Sequence, residues 1–141
     1  MIAYLDTSVL IRILLREDHA LREWHQIQLG ITSEITRVEC YRTLDRLRLI
    51  EVFDDEDYAS KVIEVEDLLS RIDKWRLTKK ILQRASDSLP TVIGTLDAIH
   101  LVSAMTYREG QPKDEPPIML ATHDQGLAAC ARATGFRVLG A

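Results

Sequence analysis

The sequence predicts a three-layer α/β/α sandwich built on a central, mostly parallel sheet. Ile2–Leu5 and Ile118–Ala121 are continuous apolar runs of strand length, without the polar alternation of a half-solvated strand. Between them lie helical stretches, several with an apolar stripe at helical spacing. Apolar strands alternating with helices describe a parallel sheet covered on both faces. With 141 residues and no repeat, low-complexity tract or linker, the chain reads as one domain, residues 1–141.

The first strand stops at Asp6, and Ser8 to about Arg16 reads as helix. Asp18 to Gly30 reads as a second helix, with Asp18 as N-cap and Gly30 just past its end. Ile31–Ser33 suits a short strand. Glu34 to about Ile50 is helical, with Cys40, Leu44 and Leu47 on one face. The acidic run Asp54–Asp57 favours the start of the next helix through its dipole. Tyr58, Val62, Val65, Leu69 and Ile72 form that helix's stripe. Lys74–Leu77 is a weak strand, Thr78 caps a helix carrying Ile81, Leu82 and Ala85, and Thr95 caps one from Leu96 to about Tyr107. Glu109–Pro117, with one Gly and three Pro, is a loop. Gln125–Thr134 is a helix closed by Gly135, and Phe136–Leu139 is a last strand.

No stretch approaches the length of a transmembrane helix. The start lacks a basic segment and contains Asp6, so it reads as a folded strand rather than a signal peptide. Cys40 and Cys130 lie far apart in apolar helical contexts, as free core thiols of a reducing cytoplasm do. The net charge of −4 is unusual for a nucleic-acid binder. Segregated charge, or two divalent cations at an acidic centre, would resolve it.

Ligands of parallel sheets bind beyond the carboxyl ends of the strands. Asp6 directly follows the first strand, and Asp124 follows Ile118–Ala121 after Thr122 and His123. Asp97 stands in the first turn of an otherwise apolar helix, and Glu39 lies among Val38, Cys40 and Tyr41. Acids in apolar settings are costly unless paired or metal-bound. Each also has an ordinary reading: Asp6 and Asp124 as helix caps, Asp97 as first-turn dipole chemistry, and Glu39 as a partner of Arg42, Thr43 or Arg46. Together they offer hard oxygen ligands for Mg²⁺ or Mn²⁺, and no Cys or His set has zinc-like spacing.

Four segments, Tyr4–Ile11, Thr32–Glu39, Leu96–Ala104 and Leu120–Leu127, resemble the PIN domain in that family's order. Ala131–Leu139, with Gly135 before the last strand, also fits, and the length is similar to that of VapC-type toxins. The resemblance implies an acidic pocket of Asp6, Glu39, Asp97 and Asp124 and Mg²⁺- or Mn²⁺-dependent RNA cleavage. It implies that Thr7 and Thr122 stand beside the acids to orient carboxylates or waters, with ordinary capping as the other reading. It also implies a homodimer and a cognate antitoxin. Two departures, His123 and the long Glu109–Pro117 segment, remove no ligand.

A metal-activated water attacking phosphorus in line needs no side-chain nucleophile. Arg12, Arg16, Arg37, Lys79 and Lys80 are candidates for phosphate contacts, Arg16, Lys79 and Lys80 foremost. For each, a solvated helix face is the plainer reading. His100 and His123 are candidates for acid or base roles, or for a satisfied helix residue and a solvated loop residue. An aspartyl phosphatase lacks support because Ser8 stands where a second Asp is needed. A nuclease of RNA processing without an antitoxin and a non-catalytic nucleic-acid-binding module remain as alternatives.

Overall fold

The computed structural model describes Met1–Ala141. Its strands are β1 (Ile2–Leu5), β2 (Leu29–Ser33), β3 (Asp73–Trp75), β4 (Met119–Ala121) and β5 (Val138–Leu139). They form one sheet in the order β3-β2-β1-β4-β5. Every pairing is parallel. The helices are α1 (Thr7–Leu14), α2 (Ile35–Leu49), α3 (Asp55–Ser70), α4 (Lys79–Ala85), α5 (Thr95–Gly110) and α6 (Gln125–Ala133).

The alternation of side chains along a strand divides the core in two. Ala3 and Leu5 of β1 face Val9, Leu10 and Leu14 of α1, Cys40 and Leu44 of α2, and Val65 and Leu69 of α3. Tyr4, between them, faces the opposite layer with Leu101 and Ala104 of α5 and Leu127 and Cys130 of α6. Central strands buried on both sides explain the unbroken apolar runs of β1 and β4. The cysteines are free and buried, one in each layer. Burial, with Glu39's charge adding to it, pushes the Cys40 thiol up to about 12, so it stays protonated. No helix is long and apolar enough to cross a membrane.

Helix ends follow local chemistry. Asp54 and Asp57 form a reciprocal capping box at α3, and Thr78 accepts from the Ile81 amide at α4. At α5 the capping position is Gly94, not Thr95, and the helix runs on to Gly110. Gly135, at φ +86°, takes the left-handed turn after α6.

One expected helix is absent. Asp18–Gly30 is irregular apart from a single 3-10 turn, Trp24–Gln26, and β2 begins at Leu29. Gly30 is a strand residue paired with Ala3. A Cβ there would come within 2.8 Å of Leu5 Cδ1, so glycine lets β1 and β2 lie flush. Leu21, Trp24 and Ile27 have helical spacing, yet they serve as separate plugs on the α1 side of the core. The last strand also contracts to Val138–Leu139, leaving Phe136 as a buried plug.

The strand order sets the site. β1 lies between β2, reached through α1, and β4, reached only after α5, so the order reverses at the β1–β4 seam. A crevice at the carboxyl ends of the strands opens at such a seam. Leu5 is in register with Ala121, so Asp6 and Thr122 leave the sheet side by side.

Candidate active site

Asp6 is buried, and its amide donates to Ala121 O at 3.0 Å, across the seam. It stands at the N-cap position of α1, but its carboxylate makes no capping bond. Instead Oδ2 accepts from Ser8 Oγ at 2.6 Å and Thr122 Oγ1 at 2.8 Å. Those hydroxyls are fixed in turn by amides: His123 N donates to Ser8 Oγ and Asp124 N to Thr122 Oγ1. The capping reading therefore fails for Asp6. It holds in part for Asp124, whose Oδ1 accepts from the Leu127 amide at 2.7 Å at the start of α6.

Glu39, half-buried on α2, uses one oxygen. Oε1 accepts from Thr7 Oγ1 at 2.8 Å and from His100 Nε2 at 2.6 Å, not from Arg42, Thr43 or Arg46. Asp97, half-buried in the first turn of α5, has no hydrogen-bond donor. Burial raises its pKa, and the charges of Asp124, Asp6 and Glu39 raise it further, with His100 opposing them. The four acids thus share one electrostatic neighbourhood, drawn from α1, α2, α5 and α6.

His100 is the residue whose place the sequence left most open. It is 1% exposed. Its Nδ1 lies 2.9 Å from Tyr4 Oη, and Asp6 Oδ1 lies 3.6 Å from Nε2. Burial opposes its charge, but Glu39's hydrogen bond and the charges of Asp6, Glu39 and Asp97 prevail and raise its pKa. Ser8 was likewise no candidate, although it sits within the segment that carried the resemblance. His123 turns away, its Nδ1 donating to Gly140 O at 2.8 Å.

The basic candidates are not gathered at this pocket. Arg16 follows the far end of α1, ten residues beyond Asp6, and pairs with Glu64 at 3.1 Å. Lys79 and Lys80 are exposed on α4, and Lys80 adds its charge to those acting on Glu109 near the far end of α5. Twelve residues of helix separate Glu109 from Asp97, which is roughly 18 Å along the axis. Arg12 is engaged by Glu17, and Arg37 by Glu66 and the Tyr41 ring.

The donor set suits a hard divalent cation. Each of the four carboxylates keeps at least one oxygen that accepts no protein hydrogen bond: Asp6 Oδ1, Glu39 Oε2, Asp124 Oδ2 and both oxygens of Asp97. No three acids or imidazoles converge tightly enough to form a finished coordination shell. Mutual repulsion favours that spread.

A parallel sheet with four acids at its switch point defines a class of protein, and the chain belongs to the PIN domain family, which it matches over residues 3–133. It is 30% identical over 139 residues to Ribonuclease VapC46 of Mycobacterium tuberculosis (strain ATCC 25618 / H37Rv), a span of 96% of this chain and 95% of that protein. It is also 30% identical over 135 residues to Ribonuclease VapC47 of Mycobacterium tuberculosis (strain CDC 1551 / Oshkosh), covering 94% and 92% of the two chains.

Proposed function

We propose that this chain is a divalent-metal-dependent endoribonuclease acting as the toxin of a toxin–antitoxin pair. The observation that carries the reading is the set of four carboxylates at the strand-end crevice, each with an oxygen left free of protein donors. The near-full-length likeness to two ribonucleases supports RNA as the substrate. Asp6, Glu39, Asp97 and Asp124 would hold Mg²⁺ or Mn²⁺, which when bound offsets phosphate charge and lowers the pKa of a coordinated water.

The chain's own residues orient the site. Ser8 and Thr122 fix the rotamer of Asp6, and Thr7 and His100 fix that of Glu39. Asp124 is held by its cap on α6. Cys40 is protonated, and the hydroxyls of Thr7, Ser8 and Thr122 are spent on orienting Glu39 and Asp6, so hydrolysis by water is the chemistry these residues serve.

Two partners accompany the reading in the cytoplasm. Leu82, Val92 and Leu96 are 44%, 102% and 45% exposed beside the Asp97 end of α5, where a second copy would cover them. An antitoxin segment placing an Arg or Lys among the acids would compete with the metal for the same oxygens.

The deciding experiment is cleavage of a mixed RNA pool with Mg²⁺, with Mn²⁺ and with EDTA. Cleavage that needs the metal and stops with the chelator is expected; cleavage unaffected by EDTA would overturn the metal assignment. Co-expression with the adjacent small reading frame tests the toxin half. Growth that is arrested by this chain and restored by the neighbour is the expected result.

A further inference from the structure

We propose that His100 is a positioning residue, which with Thr7 clamps one oxygen of Glu39 so that the other is presented to the divalent ion. The inference rests on the metal-dependent reading above. Three helices meet at one atom, Glu39 Oε1: α2 carries the glutamate, α1 sends Thr7 Oγ1 to 2.8 Å, and α5 sends His100 Nε2 to 2.6 Å. A carboxylate can only accept, so Nε2 must carry its proton. Nδ1 lies 2.9 Å from the Tyr4 hydroxyl, which donates to it in the neutral ring and accepts from it in the charged one. Tyr4, from β1, thereby holds the plane of the ring while Nε2 keeps its proton on Glu39.

The clamp is braced behind each donor. Thr7 Oγ1 lies 3.3 Å from Thr36 Oγ1, Thr36 lies 2.7 Å from Thr32 Oγ1, and Thr32 donates to Leu5 O at 2.7 Å. This chain of buried hydroxyls ends on the backbone of β1. On the other side, the buried Tyr4 Oη stands behind the ring, 2.9 Å from Nδ1. A histidine that merely filled the core would need no such supports.

Glu39 needs the help because a glutamate has a long, mobile side chain and its charge is repelled by Asp6 and Asp97. Pinning Oε1 removes that freedom before the ion arrives and leaves Oε2 undonated. The same N–H stands 3.6 Å from Asp6 Oδ1, so it also offsets repulsion between Asp6 and Glu39. Residues that orient a ligand in this way are worth about 10-fold to 100-fold in metal affinity or rate.

The test uses His100→Leu, which keeps apolar bulk, and His100→Gln, which restores an N–H near the Nε2 position. Mn²⁺ affinity is read from electron spin resonance of the free ion, independently of cleavage, beside kcat, KM for RNA and thermal melting. We expect His100→Leu to lose about 10-fold to 100-fold in Mn²⁺ affinity and kcat with KM for RNA little changed, and His100→Gln to regain most of it. Nitrogen-15 spectra of histidine-labelled wild type should show a protonated Nε2. A bare Nε2, a folded His100→Leu with wild-type Mn²⁺ affinity, or a folded His100→Gln as impaired as the Leu variant would overturn the clamp. Should His100→Leu fail to fold, Tyr4→Phe takes its place, and unchanged Mn²⁺ affinity there overturns the proposal. Wild type that binds Mn²⁺ but cuts no RNA defeats the nuclease reading alone, with the clamp judged by the binding arm. Wild type that binds no Mn²⁺ defeats both.

Discussion

Asp97 is the acid whose charge is least supported, with burial and the charges of Asp124 and Asp6 all opposing ionisation. Asp97→Asn keeps its shape and removes one charge from the crowd. The expected result is no RNA cleavage together with a melting temperature above wild type in EDTA. Added Mg²⁺ should then raise the wild-type melting temperature more than the variant's, and equal shifts would show that Asp97 is no ligand. Asp6→Asn should also abolish cleavage, because an amide nitrogen in place of one oxygen cannot accept from both Ser8 and Thr122 while offering the other atom to a cation. Wild-type cleavage by Asp6→Asn in Mn²⁺ would remove it from the site. These acids were legible in the sequence because a strand end and a first helical turn are local features. His100 was not: its partners Glu39 and Tyr4 lie 61 and 96 residues away, and only the fold brings them together.

At the scale of elements, α4 is joined to α5 by a forked contact, Arg84 Nη1 and Nη2 donating to Glu109 at 2.8 and 2.6 Å. Arg84's hydrogen bond holds the Glu109 pKa below its ordinary value. A lowered carboxylate pKa stabilises the fold above the unfolded pKa, and that support is lost as pH falls through the folded value. The pair is largely solvated, so Arg84→Gln should cost about 0.5 kcal/mol at neutral pH, measured by urea unfolding. Below the lowered pKa the difference should vanish, and a difference that persisted in acid would assign it to packing of the arginine stem instead. Gly30→Ala tests the flush contact of β1 and β2, where the added methyl meets a buried Leu5. A loss of about 1 kcal/mol or more is expected in the same assay. Gly30 also explains the one large misreading. A glycine after Leu21, Trp24 and Ile27 at helical spacing looks like a helix stop. Periodicity could not show that Leu29 and Gly30 pair with Ile2 and Ala3, a contact made only once the sheet forms. The α2 and α3 stripes were legible because Cys40, Leu44, Val65 and Leu69 repeat along single helices and all reach the core.

For the whole molecule, charge and arrangement decide more than any one contact. The chain carries −4, and Arg12, Arg16 and Arg37 are already engaged by acids. RNA binding should therefore respond weakly to monovalent salt between about 50 and 200 mM, unlike the steep loss shown by a basic surface. Replacing Arg16, Lys79 and Lys80 together should leave that slope nearly unchanged, and a flattening by about three units would show that they do hold the backbone. Sedimentation of the purified chain tests the second copy over Leu82, Val92 and Leu96: a dimer is expected, and a monomer at micromolar concentration would exclude it. The seam between β1 and β4 has one further consequence. Asp6 precedes the threonine that fixes it by 116 positions, and Asp124 comes later still. A half-made chain thus has neither a fixed Asp6 nor a complete set of acids. The pocket comes into being only after β4 and the start of α6 have been made, so a chain still growing through α5 carries no assembled site.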